Sequence, residues 1–230
     1  MTFRTAASIL AVTGLAGVAA ADTPWNNPNG SASFFDWANG HNSNTNLFGS
    51  PTLVGNSFEF FPSNFVAQSV GGNAAGATDQ MNVTLIAHQG QRFTQIRIQE
   101  FGTWGITGIA SLQDTGTMFI TDLINPRPAG QNPVIGNMAF NPVMPIVTPG
   151  SGNWSGLVTI DLDSIIGPAW TTIMLVFSNT LQASTTGANS IGTITKKVID
   201  GPAIIVTPFP APGSGVLLGA GCLLLARRRR

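Results

Sequence analysis

The chain has no tyrosine and one cysteine, Cys222, which lies in an apolar run near the C-terminus. The body before that run has no disulfide to staple it and no thiolate set for a zinc site. A domain of this length buries enough apolar surface to do without such staples. Charge is also scarce, at 9% of residues, but 43% are hydrophobic and spread along the chain, which excludes a disordered polyelectrolyte. Histidine is limited to His41 and His88, too far apart in sequence to make a metal case. There is no G-x-S-x-G elbow, no phosphate loop and no dinucleotide fingerprint. No stretch outside the termini sustains an apolar repeat of helical period.

The net charge of zero hides an asymmetry. All ten acids lie between Asp22 and Asp200, whereas only five bases do: Arg92, Arg97, Arg127, Lys196 and Lys197. Ten acids against five bases leave this body at about −5. An acidic body is not drawn to nucleic acid, so that class of partner is excluded on charge.

What is present at the two ends reads as addresses. Residues 1–21 have Arg4 as a positive start, then a small-residue apolar run, then an A-x-A cleavage site that predicts processing between Ala21 and Asp22. This run is too short and too rich in glycine and alanine for a membrane span. The other end, residues 209–230, carries Pro210, Ala211 and Pro212, an apolar run, and then Arg227, Arg228, Arg229 and Arg230. The prolines are expected to stop any strand. The apolar run predicts a short transmembrane helix whose arginines stay on the cytoplasmic side of the inner membrane. A buried terminal helix is the alternative, and four consecutive arginines count against it.

That tripartite layout resembles the PEP-CTERM sorting signal, with Ala211 in place of the family's glutamate. The resemblance covers the last tenth of the chain. It implies an exported envelope or extracellular-matrix protein, delivered by the secretion machinery and handled by an exosortase-like processing enzyme. It implies a location, secreted or at the cell envelope, and no chemistry.

Between the ends, residues 22–208 are expected to form one all-β, sandwich or jelly-roll-like ectodomain. The asparagine-rich stretch 22–46 reads as loop, docked by Phe34, Phe35 and Trp37. Short strands are predicted at 52–54, 57–61, 65–68, 80–87, 93–101, 105–112, 117–122, 154–162, 170–179, 192–199 and 203–207. Asp200-Gly201 predicts a hairpin between the last two. The proline-rich stretch 125–153 reads as a long loop with one short strand near 138–140. The body also resembles a group of secreted sandwich proteins that carry the same tail. The resemblance rests on Ser57-Phe58-Glu59-Phe60-Phe61-Pro62-Ser63-Asn64-Phe65, Gln99-Glu100-Phe101-Gly102 and Lys196-Lys197.

Glycoside cleavage needs two carboxylates at a set separation. The candidates are Glu59, Glu100, Asp161 and Asp163. Asp161 and Asp163 would share a strand face, an arrangement that fits either a calcium site or a polar strand end. Glu59 and Glu100 are expected to pair with Arg92, Arg97 or Arg127. His88 reads as a turn residue. Five tryptophans without tyrosine invite a sugar-stacking reading, and Trp104 and Trp154, beside glycines or loop residues, are the exposed candidates. The expectation is a non-catalytic surface or matrix protein, with no cofactor and no metal. A carbohydrate-binding module for extracellular polysaccharide and a secreted glycan hydrolase stand as alternatives.

Overall fold

A computed structural model describes residues 21–125, 127–128, 131–197 and 201–211. The expected signal segment up to residue 20, and the tail from Pro212 through Arg227, Arg228, Arg229 and Arg230, lie outside the described residues. Among the described residues there is no helix, and none long and apolar enough to cross a membrane.

The chain is all-β, as expected. Its strands are β1 (Thr23–Pro24), β2 (Gly30–Ser31), β3 (Phe35–Asn42), β4 (Thr52–Val54), β5 (Ser57–Phe60), β6 (Val66–Val70) and β7 (Ala74–Ala87). There follow β8 (Phe93–Asp122), β9 (Val134–Asn137), β10 (Ala139–Asn141), β11 (Gly150–Asp161), β12 (Thr172–Thr195) and β13 (Ile204–Pro210). They form one antiparallel sheet with the main order β1-β3-β7-β12-β8-β13-β5-β4.

The sheet curls because two strands are too long for one flat layer. β8 has 30 residues and β12 has 24; at about 3.3 Å per residue, β8 alone traces roughly 100 Å. Its first part lies between β11 and β13, and its last part between β12 and β9. Each end of β8 therefore belongs to a different part of a curled, sandwich-like sheet. Aromatic side chains fill the space enclosed. Phe48 meets Phe60 of β5 at 6.1 Å and Phe177 of β12 at 6.0 Å, while Phe58 of β5 meets Trp37 of β3 at 5.4 Å. Burying each such ring stabilises the fold by about 1.5–3 kcal/mol, so this aromatic layer is a main term in holding the curled sheet together.

Several local expectations are corrected. The pieces at 93–101, 105–112 and 117–122 are one strand, and those at 170–179 and 192–199 are essentially another. Here glycines bend a strand whose neighbours go on pairing. At Gly108, φ is +73°, and the β8–β12 register shifts there, between Thr186 and Ile191. The stretch 22–46 is not all loop, since it contains β1, β2 and the eight-residue β3. The 125–153 stretch holds β9, β10 and the start of β11. β12 and β13 do not form a hairpin; they follow one another along the same edge of β8. Nor do the prolines stop β13, which runs through Pro208 to Pro210. β5 pairs only as far as Val206, so beyond it β13 has one neighbour and the missing N–H groups open no gap in a two-sided ladder.

Candidate functional site

Strand alternation carries four polar side chains inward. On β8, Ile96, Ile98 and Glu100 share the buried phase, and further on Leu112, Asp114, Met118 and Ile120 do. On β12 the same phase carries Phe177, Asn179 and Leu181, then Ile194; Lys196 continues it just past the strand end. All four polar residues are at most 1% exposed.

They meet in one cluster. Lys196 Nζ lies 2.6 Å from Glu100 Oε2 and donates to Asp114 Oδ2 at 2.9 Å. Asn179 Nδ2 donates to Glu100 Oε2 at 2.8 Å. Aromatic faces lie beside the ammonium: the Trp154 ring at 4.7 Å and the Phe65 ring at 5.4 Å. Gly102 makes room for this arrangement. A Cβ there would stand 1.9 Å from the Thr195 carbonyl oxygen and 2.5 Å from the Trp154 ring.

The cluster is not electrostatically closed. Two carboxylates face one ammonium, and Glu100 Oε1, Asp114 Oδ1 and Asn179 Oδ1 are buried without a hydrogen-bond partner. Burial pushes the Glu100 carboxyl up to about 8; Lys196 opposes the shift and Asp114 adds to it. Burial also raises Asp114, against the pull of Lys196. The two groups titrate as a unit that retains a proton near neutrality. By contrast Asp79, also buried, is well supplied. It accepts from the Phe48 and Gln80 amides at 2.8 Å each and from the Ser43 and Thr45 hydroxyls. That carboxylate is a loop anchor, whereas the Glu100 cluster holds unused capacity.

The other candidate residues are scattered. Glu59 lies on the half-exposed face of β5, opposite buried Phe58 and Phe60, as its alternation predicts. Asp161 ends β11, and its carboxylate accepts the Asp163 amide at 3.1 Å, so the two form a turn rather than one strand face. Asp163 is taken by Arg92. Arg127 pairs with Asp122 at 2.9 Å and lies 3.4 Å above the Trp170 ring, while Arg97 stacks on Phe209. Among the described residues no arginine pairs with Glu100; its partner is Lys196. His88 pairs with Asp36 at 3.0 Å and His41 with Asp22 at 3.3 Å, at the exposed Ala21–Asp22 junction. Among the described residues, no three acidic, histidine or cysteine side chains group to hold a metal.

The expected exposure of Trp154 is corrected. It is 2% exposed, and its indole N–H donates to the Thr195 carbonyl at 3.2 Å. Trp154 stands opposite Gly102 in the ladder, so the missing side chain lets the indole sink inward. Trp104 is half-buried and lies against Gly152, its partner across β11. Trp25, Trp37 and Trp170 are buried as well. Beside the cluster, a concave site of about 500 Å³ opens between Phe101, Asn153, Trp154, Lys197, Pro202 and Ile205.

The inward charged cluster was missed from sequence. A signal was there: Ile96-x-Ile98-x-Glu100 and Ile194-x-Lys196 place opposite charges in the phase of buried residues. Partnering across about a hundred residues was not readable.

No protein-family model matches the chain, and no curated protein matches it. Among solved structures, it is similar to TmCBM61 in complex with beta-1,4-galactotriose, at 8% identity over 81% of this chain and 99% of that one, with a TM-score of 0.24. It is also similar to the enzymatically active domain of bacteriophage CBA120 tailspike protein 4, at 8% identity over 63% of this chain and 19% of that one, with a TM-score of 0.21. Likeness at these scores carries no argument about function, which rests on the side chains.

Proposed function

We propose that this chain is an exported surface or extracellular-matrix protein whose β body serves as a rigid scaffold and not as an enzyme. The observation that carries this reading is where the charge goes. Two carboxylates, Glu100 and Asp114, are sealed inside the fold around Lys196. Of the remaining acids, Asp122 and Asp163 are paired with arginines and Asp36 with a histidine. A glycan hydrolase needs two carboxylates facing a substrate in an open cleft, and of the four candidates Glu100 is sealed in the core and Asp163 is paired with Arg92. The signal segment and the Pro210-Ala211-Pro212 tail with its four arginines supply the address.

The test is fractionation of cells making tail-intact and tail-deleted forms, with the mature C-terminus determined by mass. The tail-intact protein should reach the envelope or the medium, and the tail-deleted form should lose envelope retention. Intact chain in the cytosol, keeping Met1, would refute the assignment. A mature protein still ending at Arg230 would remove exosortase-like processing while leaving a membrane anchor.

A second reading, binding of extracellular polysaccharide, is favoured by the concave site beside Asn153, Trp154 and Lys197. It offers one aromatic edge and amide and amine donors of the kind sugar hydroxyls use. A glycan array on residues 22–211 tests it. Saturable binding that Asn153→Ala weakens at least tenfold would support it, and a blank array would leave the scaffold alone.

A further inference from the structure

We propose that Lys196 and Asp114 condense into an intramolecular isopeptide bond, with Glu100 as the catalytic residue that moves the proton. Three reacting groups are already assembled. With Nζ 2.9 Å from Asp114 Oδ2, the carboxyl carbon lies one bond further on, close to the ~3–3.5 Å of a near-attack arrangement. Glu100 Oε2, at 2.6 Å from the same nitrogen, is within reach to act as base and then acid.

The step balances without any co-reactant. In the reacting form the proton kept by the pair is on Asp114 and Glu100 is the carboxylate. Glu100 takes a proton from the Lys196 ammonium, leaving a neutral amine whose lone pair attacks Asp114 Cγ. A C–N bond forms. The Asp114 hydroxyl leaves as water with the proton returned by Glu100 as the C–O bond breaks, and the second amine proton passes to Glu100. Ammonium, carboxylic acid and the Glu100 carboxylate become an amide, one water and a protonated Glu100.

The surroundings favour this direction. Burial disfavours both charged reactants, and condensation removes one charge of each sign from a site sealed at 1% exposure or less. The burial-raised carboxyls of Glu100 and Asp114 hold a proton where the chemistry needs one. Trp154 and Phe65 wall the amine on its other sides. The unpartnered oxygens of Glu100, Asp114 and Asn179 fit a site that is not a finished ion pair. A cross-link here would tie β8 to the end of β12, locking strands that no disulfide in the body can lock.

Mass spectrometry of the purified full chain tests this, with peptide mapping to fix both termini. The folded wild-type protein should be lighter than its own sequence by one water. The Lys196 and Asp114 peptides should be recovered as one branched species, with no tryptic cut after Lys196. Lys196→Met and Glu100→Gln should each restore the full mass, with circular dichroism reporting whether they fold. The wild-type result stands without either variant. Separate linear peptides at full mass would overturn the proposal. Loss of ammonia instead of water would also overturn it, because the acyl partner would then be Asn179.

Discussion

Replacing Lys196 by methionine removes the one cation that the uncondensed cluster holds between two buried carboxylates. Breaking a buried pair from one side costs about 3–5 kcal/mol, so Lys196→Met should lower the denaturant midpoint by a large part of the protein's stability. Glu100 gives a pH signature. Its carboxyl is raised from 4.5 to about 8, so across that interval the unfolded chain gives up a proton that the folded chain keeps. The stabilising contribution is therefore complete below pH 4.5 and is lost as pH rises through about 8. Before any condensation with Lys196, Asp114 is raised too and acts in the same direction. Urea midpoints measured across this range should fall with rising pH, and Glu100→Gln should flatten the slope. At Gly102 a methyl group would meet the Thr195 carbonyl oxygen, a backbone atom that cannot turn aside. Gly102→Ala is expected to cost about 1–3 kcal/mol, read as a shift in thermal midpoint. Residue identity alone marked Glu100 as an ion-pairing group, but its partner was not legible. An arginine was expected, yet the sheet brings Arg92, Arg97 and Arg127 to other partners and delivers Lys196 from 96 positions away along the chain.

Among the elements, β8 and β12 show where local reading stops. Their alternation was visible in pieces, and residues 52–54 were placed as the structure has them. Continuity was not visible, because a glycine in a strand has the same sequence signature as a glycine that ends one. Which it becomes depends on whether neighbouring strands keep supplying hydrogen bonds. Gly108 is the sharpest case: its φ of +73° accommodates the register shift, and a Cβ there would lie 2.6 Å from Ser190 Oγ. Gly108→Ala should destabilise by about 1–2 kcal/mol from the left-handed backbone alone. Hydrogen exchange should then quicken around residues 105–110 and 186–192 before it does elsewhere. The prolines of β13 teach the same lesson. Pro208 is tolerated because its strand has lost one neighbour by that point, a fact of the sheet and not of the residue.

For the whole molecule, stability must come from the enclosed aromatic and aliphatic core and from the buried cluster, since the only cysteine lies in the tail. Unfolding of residues 22–211 should be the same with and without a thiol reductant. Refolding should be slow, on the millisecond-to-second scale of domains dominated by non-local strand pairs, because β13 and β5 must meet across more than 140 residues.

The sequence by itself determined the class of this protein: strands throughout the body, no disulfide to staple it, and an acidic centre. These follow from composition and short-range periodicity, which act through neighbouring residues and need no knowledge of the fold. Only the tertiary structure decided which tryptophans are buried, that broken-looking strands are continuous, and that Lys196, Glu100, Asp114 and Asn179 share one dry site. Those facts depend on register between segments far apart in the chain, and a shift of one residue would turn all four side chains to the opposite face.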